Sequence, residues 1–154
     1  MPERSVPAEP ERSVPAEHPE RQRIAAYGVC VDAQGNLLLA RASSSLSIQG
    51  RWFLPGGGVD HGEHPADAVR REIEEESGLT VELGPLLDVL SDVRILPDAT
   101  NLHTVRIIYR VASWSGTLRA EQAGTTDAIG WFAKSELGAL PLARYVVEVV
   151  EKFL

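Results

Sequence analysis

At 154 residues, with 44% hydrophobic content, the chain is long enough to enclose one core, and it has no apolar run long enough to cross a bilayer. Its net charge of −7 argues against a general binder of nucleic-acid backbones, but it leaves room for a small anionic ligand because a bound cation inverts the local sign. A single cysteine, Cys30, excludes an intramolecular disulfide; set in an apolar run, it reads as a small buried hydrophobe, with a reducing cytoplasm the expected setting.

Residues 2–9 read PERSVPAE, residues 10–17 repeat them identically, and half of the ten prolines fall before residue 20. Such a stretch has too little apolar surface to offset the entropy of ordering it. Residues 1–23 therefore read as an extended or disordered arm ahead of one domain over 24–154. The arm carries acids and lacks an apolar stretch, unlike a secretory signal or a mitochondrial transit peptide. A tandem duplication explains the repeat more simply than a partner-binding role. The domain opens with an apolar strand over residues 24–31, a turn over 32–36 and a returning strand over 37–40, which together predict a hairpin. Residues 43–50 follow as a polar loop.

After Trp52-Phe53-Leu54-Pro55, the glycines Gly56, Gly57 and Gly58 lead through Asp60, His61 and Glu63 into a helix. His64-Pro65 sets its start, because proline suits the first helical position and extends the residue before it. Gly78 sets its stop as a left-handed cap. At about 100° per residue, Ala66, Val69 and Ile73 make an apolar stripe. Glu72, Glu75 and Glu76 share an adjoining face, and Glu74 points to solvent. Arg71 lies one turn before Glu75 and can hold a neighbouring carboxylate through its rigid fork. Crowded carboxylates repel one another, and a hard divalent cation offsets that repulsion. The group points to metal-dependent chemistry on an anion, a phosphate above all, although an acid run taken alone is more often solvated helix surface.

Residues 79–90 continue as extended structure, and 93–101 read as a loop broken by Pro97. Between 104 and 111, Val105, Ile107, Tyr109 and Val111 alternate with Thr104, Arg106, Ile108 and Arg110, a strand with one mostly polar face. Ser115-Gly116 turns the chain, and residues 128–132 form another short strand. Leu142, Tyr145, Val146, Val149, Val150 and Phe153 then recur at the spacing of an amphipathic helix. Strands first, one helix in the middle and one at the end predict an α/β or α+β layered domain. Arg106 and Arg110 are placed to meet phosphates, yet ordinary surface arginines are the simpler reading. Trp52 divides evenly between stacking on a base and packing at a sheet edge. His61, His64 and His103 read as ordinary polar residues, His64 through its place at the helix start.

Taken together, Gly57, Glu63 and Arg71-Glu72-Ile73-x-Glu75-Glu76-x-Gly78-Leu79 resemble the signature box of the Nudix hydrolases at all nine specified positions. The likeness extends more loosely from residue 23 to the end. The resemblance implies an α/β/α sandwich with a central mixed β-sheet. It also implies a hydrolase that cleaves a diphosphate linkage in a nucleoside diphosphate derivative, using Mg²⁺ or Mn²⁺. Candidate substrates are a nucleotide sugar, an ADP-ribose-like molecule or a nucleoside triphosphate. By the same resemblance, Glu72, Glu75 and Glu76 bind metal or activate water, Glu63 supports them, and Gly57 offers its carbonyl to the metal. Arg71 would orient the catalytic glutamate. The partner is a small-molecule nucleotide, and relatives often form homodimers.

One departure touches the proton acceptor. Many relatives carry a further glutamate on the loop before the late tryptophan, as metal ligand or base. Here residues 124–127 offer only Asp127 near Trp131, with Glu121 a more distant candidate, so the general base lies between Glu72 and a loop acid. Downstream elements typical of NADH, coenzyme A or ADP-ribose specialists are not recognisable. The competing class is a non-catalytic nucleotide-binding sensor on the same fold. Loss of box glutamates would favour it, and none is lost.

Overall fold

The computed structural model describes residues 18–43, 50–122 and 124–154. The repeats of the N-terminal arm and most of the expected polar loop after Ser43 lie outside the described residues. Among the described residues, seven strands and two helices follow in chain order: β1 (Glu20–Val29), β2 (Leu37–Ala42), β3 (Trp52–Phe53), β4 (Gly56–Gly58), α1 (Pro65–Ser77), β5 (Thr80–Ile95), β6 (Asn101–Ser115), β7 (Thr126–Phe132) and α2 (Arg144–Phe153). A 3₁₀ turn at Lys134–Ala139 precedes α2.

The strands form two sheets. One is mixed, in the order β4-β1-β6-β5, with β1 and β6 parallel and the outer pairs antiparallel. The other is antiparallel, in the order β3-β2-β7. The expected turn after β1 closes on Asp32, whose carboxylate accepts from the backbone of Gln34 and Asn36 and from the Asn36 amide. The expected hairpin does not form: β1 and β2 enter different sheets, and their segments meet only at the bridge between Val31 and Leu37.

Helices cover both faces of this layer. Along β1, Ala25, Tyr27 and Val29 join a core with Tyr145, Val146 and Val149 of α2. The alternating Ala26 and Cys30 join a second core with Ala68, Val69 and Ile73 of α1. Leu37 and Leu39 of β2 go to the first core and Leu38 to the second, as period-2 geometry requires. Such strands read as continuous apolar runs because neither face meets water. Cys30 is fully buried, and its thiol is pushed up to about 12 by that burial, with Asp32 adding to the effect. It is an inert core residue.

Several expected boundaries move. β1 begins at Glu20, four residues before the expected strand, because residues 20–23 pair with 101–104 of β6 despite their polar side chains. Residues 93–95 belong to β5, so the expected loop contracts to a tight turn before Asn101. The face of β6 expected to be mostly polar is deeply covered: Leu102, Thr104 and Ile108 are all buried. Packing against α2 and the cleft beside it, invisible in the strand's own pattern, causes this difference. Among the described residues no helix is long and apolar enough to cross a membrane.

Candidate active site

The segment from β4 to α1 builds the site, and local chemistry fixes its course. His64 caps α1 as expected, its Nδ1 accepting from the Ala66 amide at 3.0 Å, with Pro65 at the first helical position. Gly78 ends the helix with φ 75°. Val69 and Ile73 face the core, Glu74 is exposed, and Ala68 takes the buried place expected for Ala66. The opposite flank of α1 carries Glu72 and Glu76 towards β4.

Arg71 ties the loop to the helix. Its Nε and Nη2 donate to the two oxygens of Glu63, each at 3.0 Å, and its Nη1 donates to Glu72 at 3.0 Å. Nη2 also reaches the Gly58 carbonyl at 3.2 Å and Asp60 at 3.5 Å, while Glu75 lies 3.6 Å from Nη1. A two-point arginine–carboxylate pair fixes orientation as well as charge. The Arg71 hydrogen bonds hold the Glu63 carboxyl below its usual range, and the Asp60 amide helps. These contacts hold the Glu63 and Glu72 carboxylates in fixed orientations about Arg71.

Glu72 and Glu76 form the chemical centre. Burial raises the Glu72 carboxyl above its usual range, and Arg71 opposes the rise. Glu76 is raised much further, first by burial and then by the negative charge of Glu72, with only a 3.4 Å contact from the Gly56 amide opposing. Two adjacent, poorly hydrated carboxylates are an unfavourable arrangement that a cation would relieve. The Glu72 carboxylate lies flat against Gly57: a Cβ there would sit 2.9 Å from its carboxyl carbon. Glu75 is half exposed at the rim. Among the described residues no three acidic, histidine or cysteine side chains enclose an ion by themselves. The oxygen donors present fit a hard divalent ion held through an open site, with water or substrate completing its shell.

The loop acids fall differently from the expectation. Asp127 pairs with Arg41 at 2.7 Å on the side of β7, both residues about half exposed, and does not line the cleft. Glu121 accepts a hydrogen bond from Thr126 at 2.9 Å and is close enough to raise Glu76 further. Sequence distance ranked these two acids in the wrong order, because the fold of the intervening loop leaves no local signal.

The carboxylates open into a cleft of about 490 Å³ between the outer part of the mixed sheet, Phe53-Leu54 and the start of α2. Arg23, Arg51, Arg94, Arg106 and Arg144 line it, against the acids Glu72, Glu76 and Asp92. The cleft is thus richer in cations than in anions within an acidic protein. Arg106 pairs with Asp92 and lies over the Tyr145 ring at 4.7 Å, while Arg110 reaches only the Phe153 carbonyl at 3.5 Å. Of the two arginines read from β6, only Arg106 faces the cleft. Trp52 packs edge-on against Phe132 at 4.8 Å and does not line the cleft. His103 meets Gln22 at 3.2 Å, outside the cleft.

Residues 21–153 match the NUDIX domain. The chain belongs to the Nudix hydrolase family. Among relatives of this Nudix chain, a MutT-like protein of Streptomyces ambofaciens is 27% identical over 133 residues, covering 86% of this chain and 78% of the relative. An 8-oxo-dGTP diphosphatase of Proteus vulgaris is 30% identical over 93 residues, covering 60% of this chain and 79% of the relative. A MutT Nudix hydrolase of Burkholderia pseudomallei superposes with a TM-score of 0.76 at 31% identity, over 87% of this chain and 99% of that one. The expected Nudix architecture holds, with mixed and antiparallel sheets sharing the middle layer.

Proposed function

We propose that this Nudix enzyme hydrolyses a diphosphate linkage in a nucleoside diphosphate derivative, with Mg²⁺ or Mn²⁺ held by Glu72, Glu76, the rim residue Glu75 and the Gly57 carbonyl. The supporting observation is the buried pair of like-charged carboxylates at the head of an arginine-lined cleft. Acids held so close in poor solvation favour a cation, and the guanidinium groups beyond them favour phosphate. The names of two relatives, an 8-oxo-dGTP diphosphatase and an RNA pyrophosphohydrolase, agree with a nucleotide substrate.

A bound divalent ion would neutralise the diphosphate and lower the pKa of attacking water. The chain's own residues supply the rest. Glu72, aimed by Arg71, takes up the proton released by the attacking water. Glu63 holds Arg71 from the other side and fixes the loop. Arg23, whose guanidinium lies beside Gly58, binds phosphate oxygens next to the carboxylates. Glu121 replaces Asp127 as the loop acid that adds negative charge beside Glu76.

Glu76→Gln tests this reading. The variant is expected to fold, to lose about two or more orders of magnitude in Mg²⁺-dependent turnover, and to lose most of the rise in Tm that Mg²⁺ gives the wild type. Near-wild-type hydrolysis of a nucleotide panel by the variant would remove the assignment.

A further inference from the structure

The mixed sheet ends in an edge that its sequence guards over only half its length. β5 is the outermost strand in the order β4-β1-β6-β5, so among the described residues no strand pairs with its outer rim of backbone N–H and C=O groups. Such a rim invites pairing with another chain, and folds blunt it with proline, bulges or short strands. The first half of β5 carries guards of this kind. Gly84 and Pro85 fall there, and pairing with β6 shifts register at three places between Glu82 and Asp88. From Asp88 to Ile95 the pairing runs unbroken, and neither proline nor glycine interrupts it.

This open half is also uncovered. Ser91 to Ile95 are exposed at every position, so neither face of the strand is packed there. Val89 pairs with Ile107, which packs against the core under α1, so Val89, Ser91 and Val93 lie on the face that α1 covers elsewhere. On that face Val89 is 53% exposed and Val93 62%, with Ile24 of β1 at 52% in the row of Ser91. Contiguous apolar surface of this kind marks an interaction site.

The order of residues says what fits it. Laid antiparallel against a second copy about a two-fold axis through Ser91, the segment sets Val89 opposite Val93, Asp88 opposite Arg94 and Ser91 opposite itself. Arg94 has no acid partner among the described residues, and Asp88 sits at the far end of the same run, paired so far only with Lys152. Neighbouring registers are penalised. An axis through Leu90 sets Asp88 against Asp92, and an axis through Asp92 sets that acid against its own copy. Like charges directly opposite one another destabilise a strand pair.

We propose that the segment of β5 from Asp88 to Arg94 is a homodimer surface, pairing antiparallel with the same segment of a second copy and joining two four-stranded sheets into one continuous sheet. The axis stands perpendicular to the sheet, so both clefts open on the same side of the dimer. An edge of this length lies at the small end of specific interfaces, which sets the expected affinity in the micromolar range. The inference concerns assembly and does not depend on the diphosphatase reading.

Sedimentation of the full chain between about 1 and 100 µM tests it, and monomer is expected to pass into dimer over that range. Val89→Lys sets a charge into the Val89–Val93 contact. It should keep the chain monomeric throughout, with a Tm within about 2 °C of wild type because the position is exposed. Ser91→Cys brings two thiols face to face across the axis, and mild oxidation should link the chain into a disulfide dimer without competition from the buried Cys30. Ile95→Cys is also exposed but lies about 26 Å from its counterpart in this register, and should link at least about tenfold more slowly. A wild type that stays monomeric at about 100 µM would overturn the proposal and leave the edge to a different occupant. So would a dimer that persists in Val89→Lys, or Ile95→Cys linking as fast as Ser91→Cys. Growth beyond the dimer would also overturn it, since a closed two-fold pairing uses up the edge.

Discussion

All three nitrogens of the Arg71 guanidinium donate to neighbouring oxygens, from the loop before α1 and from α1 itself. Glu72 is therefore held between this fork and the bare backbone of Gly57. Gly57→Ala tests the second contact. The new methyl would meet the Glu72 carboxylate at about 3 Å, and a carboxylate at the end of a side chain gives way more easily than backbone. The expected result is a Tm within about 2 °C of wild type and a turnover lower by about 10–100-fold, from displacement of one reacting group. An unchanged kcat would show that the contact does not position Glu72. These residues were legible in the sequence because they lie within one short segment, where helical spacing alone sorts Glu72 and Glu76 from Glu74. The place of Glu121 beside Glu76 and the cleft arginines other than Arg106 were not. Glu121 comes from the segment between β6 and β7, and the arginines come from β1, the residue before β3, β5, β6 and α2, so only the assembled fold brings the arginines to one cleft.

Elements with strong local signals kept their expected ends. Pro65 and Gly78 bound α1, and α2 covers the apolar period read from Leu142 to Phe153 except for Leu142 itself, which lies ahead of the helix in a bridge to Trp52. Strand ends moved, since a strand is defined by its neighbour: Gln22 and Arg23 become strand through β6, not through any property of their own. The C-terminal cap of α1 offers a test of how much one local signal contributes. Gly78 has φ 75°, and a Cβ there would lie 2.7 Å from the Arg119 side chain and 3.0 Å from the Thr117 carbonyl. Gly78→Ala should cost about 1–2 kcal/mol from the left-handed conformation, more if Arg119 cannot move. For a chain of this size that lowers Tm by about 2–8 °C in a calorimetric scan. An unchanged Tm would mean that the cap readily adopts another geometry.

The molecule as a whole is a layer buried on both sides, and this makes an unusual demand on consecutive residues. Leu38 and Leu39 are both fully buried, one under α1 and the other under α2. In a sheet with one wet face, alanine substitution at neighbouring positions would alternate between costly and neutral. Here Leu38→Ala and Leu39→Ala should each lose about 2–5 kcal/mol, read as a fall in urea midpoint at constant m-value. A cost confined to one of the two would contradict the sandwich. The apolar runs of β1 and β2 already hinted at double burial. The parallel pairing of β1 with β6 left no trace in either strand.

That pairing also sets a timetable. Gln22 lies opposite His103, and Val29 opposite Arg110, so the first strand of the domain waits for a partner some eighty residues downstream. Long loops must close before such contacts give any return, which makes them slow to form. During synthesis, α1 and its acids emerge well before β6 exists, and the nascent chain holds an acidic helix without the arginine-lined wall that stands beside it in the folded enzyme. Arg23 and Arg106 take their places only after β6 has joined the sheet. The arginine-lined wall is thus completed late, although Arg23 is made before any residue of α1.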